Sequence, residues 1–331
     1  MLQVGLDTSP LVLTKAGTAR YLTKLLEGLE EEPDLELHRY TWGGAGRATK
    51  VARDLFWYSV GLPRAARKDG VDILHCPTMR APLHPRAPLV VTIHDAAVLR
   101  HPEAFNGWTR RYSARTLPRV ARAASAIVVV SAFSRDELVD LLSVPESKVR
   151  VIPHGVGPPF TENGPKADGD YILAVSTLEP RKNFSRLVEG FQRSGLDGLE
   201  LRVVGGAGWG DVKVDGDRVE HLGIVEDEEL ARLYRGAVAV VYVSLYEGFG
   251  LPVLEAMACG TPVVAPAGPP YDEFAEGIAF QVDPRDVDSI AHGLQQAVAS
   301  GAQPVGVRRA ADFTWERTVQ AHVDLYQELA G

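Results

Sequence analysis

The stretch AVAVVYVSLYEGFGLPVLEAMACGTPVVAP, residues 237–266, reads as a strand, a glycine-bearing turn, a helix and a second strand. AVAVVYV is a continuous apolar, β-branched run, the pattern of a strand buried on both faces of a parallel sheet. Gly248 and Gly250 let the backbone turn tightly and approach a ligand. The helix begins near Leu251, with Pro252 in its first turn, where a missing N–H costs nothing. The N–H groups of Gly250, Leu251 and their neighbours then form an anion site suited to a diphosphate. Glu247 precedes this helix and Glu255 lies about one turn inside it. Two carboxylates beside an anion site repel phosphate, so they suit sugar hydroxyls: ribose for one, a transferred sugar for the other. The plain alternative is a turn whose Glu complements the helix dipole.

Working outward, the same alternation fills the chain. LQVGL, LELHRY, VDILH, PLVVTIH, AIVVV and KVRVIP are strand candidates before residue 154; YILAVS, LELRVVGG, VEHLG, AVAVVYVS, TPVVAP and IAFQVDP follow residue 170. Helix-period segments separate them, which implies parallel sheets covered on both faces. HGVGPPFTENGPKADGD, residues 154–170, is the best linker. The fold class expected is therefore α/β, with two doubly wound, Rossmann-like domains, 1–160 and 161–314. A periodic helix over about 315–330, with Thr314 as its N-cap, is long enough to cross back onto the first domain. Ligands of such sheets bind at the carboxyl ends of the strands, and two domains facing each other would share a cleft.

Composition narrows the class. At 331 residues with 45% apolar and 24% charged content, two soluble globular domains are expected. Cys76 and Cys259 make no disulfide framework and no zinc spacing. No apolar run reaches the roughly 18 residues of a membrane span, and the amino terminus reads as a strand rather than a signal peptide. A cytoplasmic location follows as the expectation. Residues 1–165 carry 21 Lys+Arg against 17 Asp+Glu, whereas the rest carry 14 against 26. The basic half is expected to meet an anionic partner.

Other candidates sit just after strands. Arg181 and Lys182 follow YILAVS, with Asn183 as the cap of the next helix; two cations there would neutralise charge on a leaving diphosphate. Arg brings a planar fork and Lys a point charge. As an isolated pair they could instead simply complement Glu179. His94 ends PLVVTI and precedes Asp95, at the mouth of any cleft. Gly17, before Thr18, Ala19, Arg20 and Tyr21, would let loop amides approach a diphosphate or acceptor. Trp108, Arg110, Arg111, Tyr112, Arg115, Arg119 and Arg122 form a basic aromatic segment, and Lys50, Arg53, Phe56, Trp57 and Tyr58 another. These fit either an interfacial surface for anionic lipid or a core with a solvated arginine face.

Glu247 and Glu255 form an E-x7-E pattern, and the segment from Ser244 resembles retaining glycosyltransferases of family 4, which have the GT-B fold. AGTARYLTKLLEGL, VVTIHDAA, VVVSAFSRDEL, VRVIPHGV, ILAVSTLEPRKNFSRLVEGF and FTWERTVQAHVDLYQEL resemble that family's landmarks in order. The subgroup it is most similar to comprises bacterial mannosyl- and rhamnosyltransferases of surface polysaccharide synthesis. The resemblance implies a nucleotide-diphosphate sugar donor, GDP-mannose first and UDP- or dTDP-sugars next, and a glycan or lipid-linked acceptor. It implies catalytic roles for His94, Glu247, Arg181 and Lys182, and donor binding by Gly17, Arg181, Lys182, Glu247, Gly248, Phe249, Gly250, Leu251 and Glu255. Arg20, Tyr21 and Asp95 fall on the acceptor side. No cofactor or divalent metal is expected, because the protein supplies the cations, and no nucleic-acid partner. Peripheral contact with an anionic inner membrane face belongs to the same expectation.

Two departures stand out. Thr177 replaces an Arg common among relatives, and Gly268, Pro269 and Pro270 in AGPPYDEFAEG replace hydroxyl-bearing residues, although Glu273 matches an acidic position. Two other readings stay open: a glycoside hydrolase using Glu247 and Glu255, and a non-catalytic nucleotide-sugar-binding protein on the same scaffold.

Overall fold

The computed structural model describes residues 1–12, 17–44, 46–210 and 212–331, without the side chains of Arg47, Ala48 and Lys50. The chain divides into two units, Met1–Gly155 with Trp315–Gly331, and Val156–Thr314. Each of the twelve strand-like runs forms a strand. In the first unit β1 (Leu2–Asp7), β2 (Leu35–Tyr40), β3 (Ile73–Cys76), β4 (Leu89–Ile93), β5 (Ala126–Val129) and β6 (Val149–Val151) make one sheet, ordered 2-1-3-4-5-6. In the second, β7 (Tyr171–Val175), β8 (Glu200–Val204), β9 (Val219–Gly223), β10 (Ala239–Val241), β11 (Val263–Pro266) and β12 (Phe280–Val282) order as 12-11-10-7-8-9.

All pairings are parallel. Residues of β3, β4, β5 and β11 are buried throughout, as strands covered on both faces must be. Read from its other edge, the second sheet runs 9-8-7-10-11-12, the order of a Rossmann dinucleotide-binding domain. Its chain reverses direction of travel between β7 and β10, which are neighbours. That reversal opens a crevice at the strand ends.

The closing helix, Trp315–Ala330, is part of the first unit's core. Trp315, Val319, Val323, Leu325 and Tyr326 pack with Val4 and Leu6 of β1 and with Leu22, Leu25, Leu26 and Leu29 of the helix Gly17–Glu31. Gly28 makes this approach work: a Cβ there would lie 2.4 Å from Val319 Cγ2 and 2.9 Å from Cγ1. The second unit has its own core, in which Phe184, Leu187 and Phe191 cover Ile172, Leu201 and Val241. Among the described residues no helix is long and apolar enough to cross a membrane.

One expected helix differs. DLFWYSVGLPRAARK splits into a wide π-helical segment, Arg53–Gly61, and an α-helix, Leu62–Asp69. The Leu62 N–H reaches back to the Trp57 carbonyl, five residues away. Buried polar groups account for the widening: Asp54 is held by Arg53, Arg80 and Trp108, and Tyr58 by Asp7.

Helix propensity alone favours Gly28→Ala by about 1 kcal/mol. The stiff, β-branched Val319 decides otherwise, and the substitution should lower stability by about 1–3 kcal/mol in denaturant titration. Pairing it with Val319→Ala should recover part of the loss, so that the two changes are non-additive.

Candidate functional site

At the β7–β10 crevice two loops are knotted together by charge. Arg181 and Lys182 lie in a short 3-10 turn after β7, Pro180–Lys182. Glu247 lies in the loop after β10. Its Oε1 meets Arg181 Nη1 at 2.9 Å and also accepts from Lys182 Nζ and the Ser244 hydroxyl. Lys182 Nζ donates to the Tyr242 hydroxyl as well, at 2.9 Å. Arg181 donates through Nη2 to Glu179 Oε1 at 2.7 Å and through Nη1 to the Tyr246 carbonyl. The backbone completes the tie, with Leu245 N–H on Arg181 O. The Glu247, Arg181 and Lys182 side chains are each only 11% exposed, so these charges interact in a medium less screening than water.

Burial works to raise the Glu247 pKa, yet Arg181 and Lys182, with hydrogen bonds from Lys182 and Ser244, hold it down to about 2. Glu247 is therefore a permanent anion and both cations are pre-aimed at it. For Glu179, burial wins over Arg181 and Lys182, and its pKa is raised. Asn183 takes the expected N-cap position of the helix Phe184–Arg193, but not through its side chain. Its side chain makes no cap bond; the amide donates to the carbonyls of Val243 and Pro284, and so bolts the β7 loop to the ends of β10 and β12.

The helix Leu251–Ala258 starts at the predicted residue, with Pro252 in its first turn and no capping side chain. Gly250 sits at φ +108°, where a Cβ would lie 2.6 Å from Tyr271 Cε1, so only glycine fits on both counts. Val253 N–H bonds the Gly250 carbonyl and Pro252 has no N–H, so of the first-turn amides that of Leu251 is the one without an intrahelical partner. Phe249 is buried, its ring stacked on Phe274 at 4.9 Å. Glu255 is 1% exposed, and Oε2 accepts from the Tyr234 hydroxyl at 3.0 Å. The structure thus brings Arg181, Lys182, Glu247 and Gly248–Leu251 together and sets Glu255 deeper, beneath them.

In the first unit, His94 follows β4, and its Nε2 lies 3.2 Å from the Pro77 carbonyl. A carbonyl only accepts, so Nε2 carries the proton and Nδ1 keeps its lone pair; Nδ1 is buried and has no hydrogen-bond partner among the described residues. Asp95 Oδ1 accepts from Ala97 N–H and so starts the turn that follows. Gly17 opens a helix rather than lying in a loop, and Arg20 is partly exposed on its first turn. Tyr21 is not a surface group: it is fully buried, its ring edge-on to His94 at 5.0 Å.

Behind His94 lies a layer that sequence reasoning missed. Tyr21 hydroxyl bonds Thr92 at 3.1 Å and His322 Nε2 at 2.9 Å; His75 bonds Thr92 at 2.8 Å and the Tyr326 hydroxyl at 2.6 Å. His322 Nδ1 donates to the Thr318 carbonyl, so Tyr21 is the donor to Nε2. The His154 ring lies tilted against those of His94 and Tyr21, at 5.3 and 5.1 Å. Burial lowers the pKa of His75, His94 and His154, and that of His322 to about 4. The available signal was the spacing of His322 and Tyr326, four apart on one face of the closing helix. Asp7, buried at the end of β1 and bonded by Ser9 and Tyr58, was also missed.

The basic aromatic segments divide. Trp108 Nε1 donates to Asp54 Oδ2 at 3.1 Å and Tyr112 hydroxyl to Asp54 O at 3.0 Å, while Arg53 and Asp54 are buried. Yet Leu55, Phe56 and Trp108 are exposed, as are Arg111, Arg115, Arg119 and Arg122, which share the helix face opposite buried Leu117. Lys50's side chain lies outside the described residues. Among the described residues no cluster of His, Cys, Asp or Glu is gathered that could hold a metal ion.

Comparison with known proteins places these observations. The Glycosyltransferase Family 4 model matches residues 17–158 and the Glycosyl transferases group 1 model matches 160–311. O-antigen chain mannosyltransferase B of Escherichia coli is 31% identical over 284 residues, 78% of this chain and 74% of that protein. O-antigen chain mannosyltransferase RfbU of Salmonella typhimurium is 30% identical over 257 residues, 73% and 70%. The structure of Anabaena HepE in complex with UDP-glucose matches at a TM-score of 0.76 with 19% identity, over 99% of this chain and 100% of that one.

The buried histidines set an acid limit. Below about pH 6.5 the unfolded chain takes up protons that neutral buried imidazoles refuse, so stability falls as pH drops toward 4. Asp7 and Glu179, whose carboxyl pKa values burial raises, oppose this by at most one proton each. Denaturant melts between pH 7 and 5 should show a net uptake of about two to three protons on unfolding, with a slope of about 3–4 kcal/mol per pH unit.

Proposed function

The chain belongs to the family 4 glycosyltransferases, and from that premise we propose that it transfers mannose from GDP-mannose to a glycan or lipid-linked acceptor, retaining the anomeric configuration. The observation that carries the reading is the Arg181–Glu247–Lys182 knot beside the Gly250 helix start, at the sheet's switch point. The mannosyl choice draws on the names of the two relatives at about 30% identity.

In this reading the diphosphate lies on the Gly248–Leu251 amides, and Arg181 and Lys182 turn from Glu247 toward its oxygens. The anomeric C–O bond breaks as positive charge builds on the sugar and negative charge on the diphosphate, which these preset cations stabilise. No divalent metal is required, because two protein cations do that work. Glu247, freed in part, accepts hydroxyls of the transferred sugar, and Glu255 those of the ribose. His94 offers Nδ1 as an acceptor for a substrate hydroxyl. The leaving phosphate takes the acceptor's proton, so Glu247 has no general-base role. Leu55, Phe56 and Trp108, beside the arginine face of Arg111, Arg115 and Arg119, would meet anionic lipid at the inner membrane face.

A hydrolase reading needs one carboxyl protonated as a general acid. Glu247, held down to about 2, is unsuited to that task.

Incubation with GDP-mannose and a candidate polyprenyl-diphosphate-linked glycan should yield transfer in excess of free mannose, unaffected by EDTA, with an α-linked product. Lys182→Ala leaves Glu247 paired with Arg181, so the fold should persist, while kcat/KM should fall by about 100-fold or more. Release of free mannose with no acceptor product would refute the reading. So would full activity in Lys182→Ala.

A further inference from the structure

Tyr271 lies in the segment that departs from the relatives, directly after Pro269 and Pro270. It is 3% exposed, and its ring lies on Gly250: a Cβ built there would sit 2.6 Å from Cε1 and 3.6 Å from Cζ, the atom that bears the hydroxyl. Its ring also stands edge-on to Tyr242 at 6.3 Å, and Tyr242 receives Lys182. The hydroxyl oxygen is buried and has no hydrogen-bond partner among the described residues. A buried phenol without a partner is costly, and a fold retains one where a partner arrives from outside. Burial and the neighbouring Glu247 charge keep the phenol protonated, so it is a donor in search of an acceptor. Glu247 already collects Arg181, Lys182 and Ser244. The acceptors missing from this corner are those a diphosphate would bring.

We propose that the Tyr271 hydroxyl donates a hydrogen bond to the diphosphate of the nucleotide sugar bound at the Gly250 helix start. It stands in for the hydroxyl-bearing residues that Gly268, Pro269 and Pro270 displace. The proposal rests on the donor site described above and adds to it a recognition group. The same ring that forces Gly250 to be glycine then touches the ligand Gly250 admits.

Tyr271→Phe removes one oxygen and keeps the ring on Gly250. Because that oxygen has no hydrogen-bond partner among the described residues, the variant's melting temperature without ligand should equal or exceed the wild type's. Dissociation constants by calorimetry on the full chain use GMP, GDP and GDP-mannose, with UMP, UDP and UDP-glucose as a parallel set. The variant should bind the diphosphate and the sugar nucleotide about tenfold more weakly and the monophosphate equally well. Equal affinity of both proteins for the diphosphates overturns the proposal, as does weakening confined to the sugar nucleotide, as does a lowered melting temperature in the free variant. If the wild type itself binds neither GDP nor UDP, the transferase reading falls and takes this proposal with it. If the wild type binds and the variant binds as well, this proposal alone falls.

Discussion

One carboxylate holds the second unit's strand ends in register. Glu247 lies between Arg181 and Lys182, and through them it joins the loop after β7 to the loop after β10. Breaking such a buried pair by removing one partner costs about 3–5 kcal/mol, because the survivor is left charged and dry. The knot therefore keeps two cations in place without substrate. An incoming diphosphate exchanges one anion for another and need not order flexible lysine and arginine side chains from solution. Preorganisation of this kind is what electrostatic stabilisation of a leaving group requires.

The knot works because topology puts its ends side by side. β7 and β10 are separated by more than sixty positions in the chain, yet they are hydrogen-bonded neighbours. At that pair the sheet's connections diverge, so no crossover covers the strand ends. Asn183 reinforces the juncture from below by holding the carbonyls of Val243 and Pro284. Above it, Gly250 yields the space that Tyr271 takes. Charge, backbone and ring packing thus converge on a few residues.

The first unit uses the opposite device. Around His94 the structure gathers neutral imidazoles, hydroxyls and phenols. Tyr21 from the first helix, Thr92 from β4 and His322 from the closing helix share one hydrogen-bond chain. The return of Trp315–Gly331 to the first unit is therefore more than apolar packing: it also supplies the polar partners that position the residue behind His94. Asp54 plays a comparable part at the aromatic segment, where it accepts from Arg53, Arg80 and Trp108.

The sequence by itself determined the twelve strands, the two Rossmann-like units, the returning helix and the family, because each rests on local periodicity or on contiguous motifs such as Glu247 to Glu255. It also marked Arg181, Lys182 and Gly250, since strand ends and helix starts are readable from neighbours in the chain. Only the tertiary structure decided that Glu247 is already paired, that the Asn183 side chain braces strands while its backbone heads the helix, and that Tyr21 is buried beneath His94. Those facts, like the His75–His322 layer and the Tyr271 hydroxyl, depend on contacts between residues far apart in the chain. Burial and partner choice are properties of the assembled neighbourhood, and no window of sequence contains it.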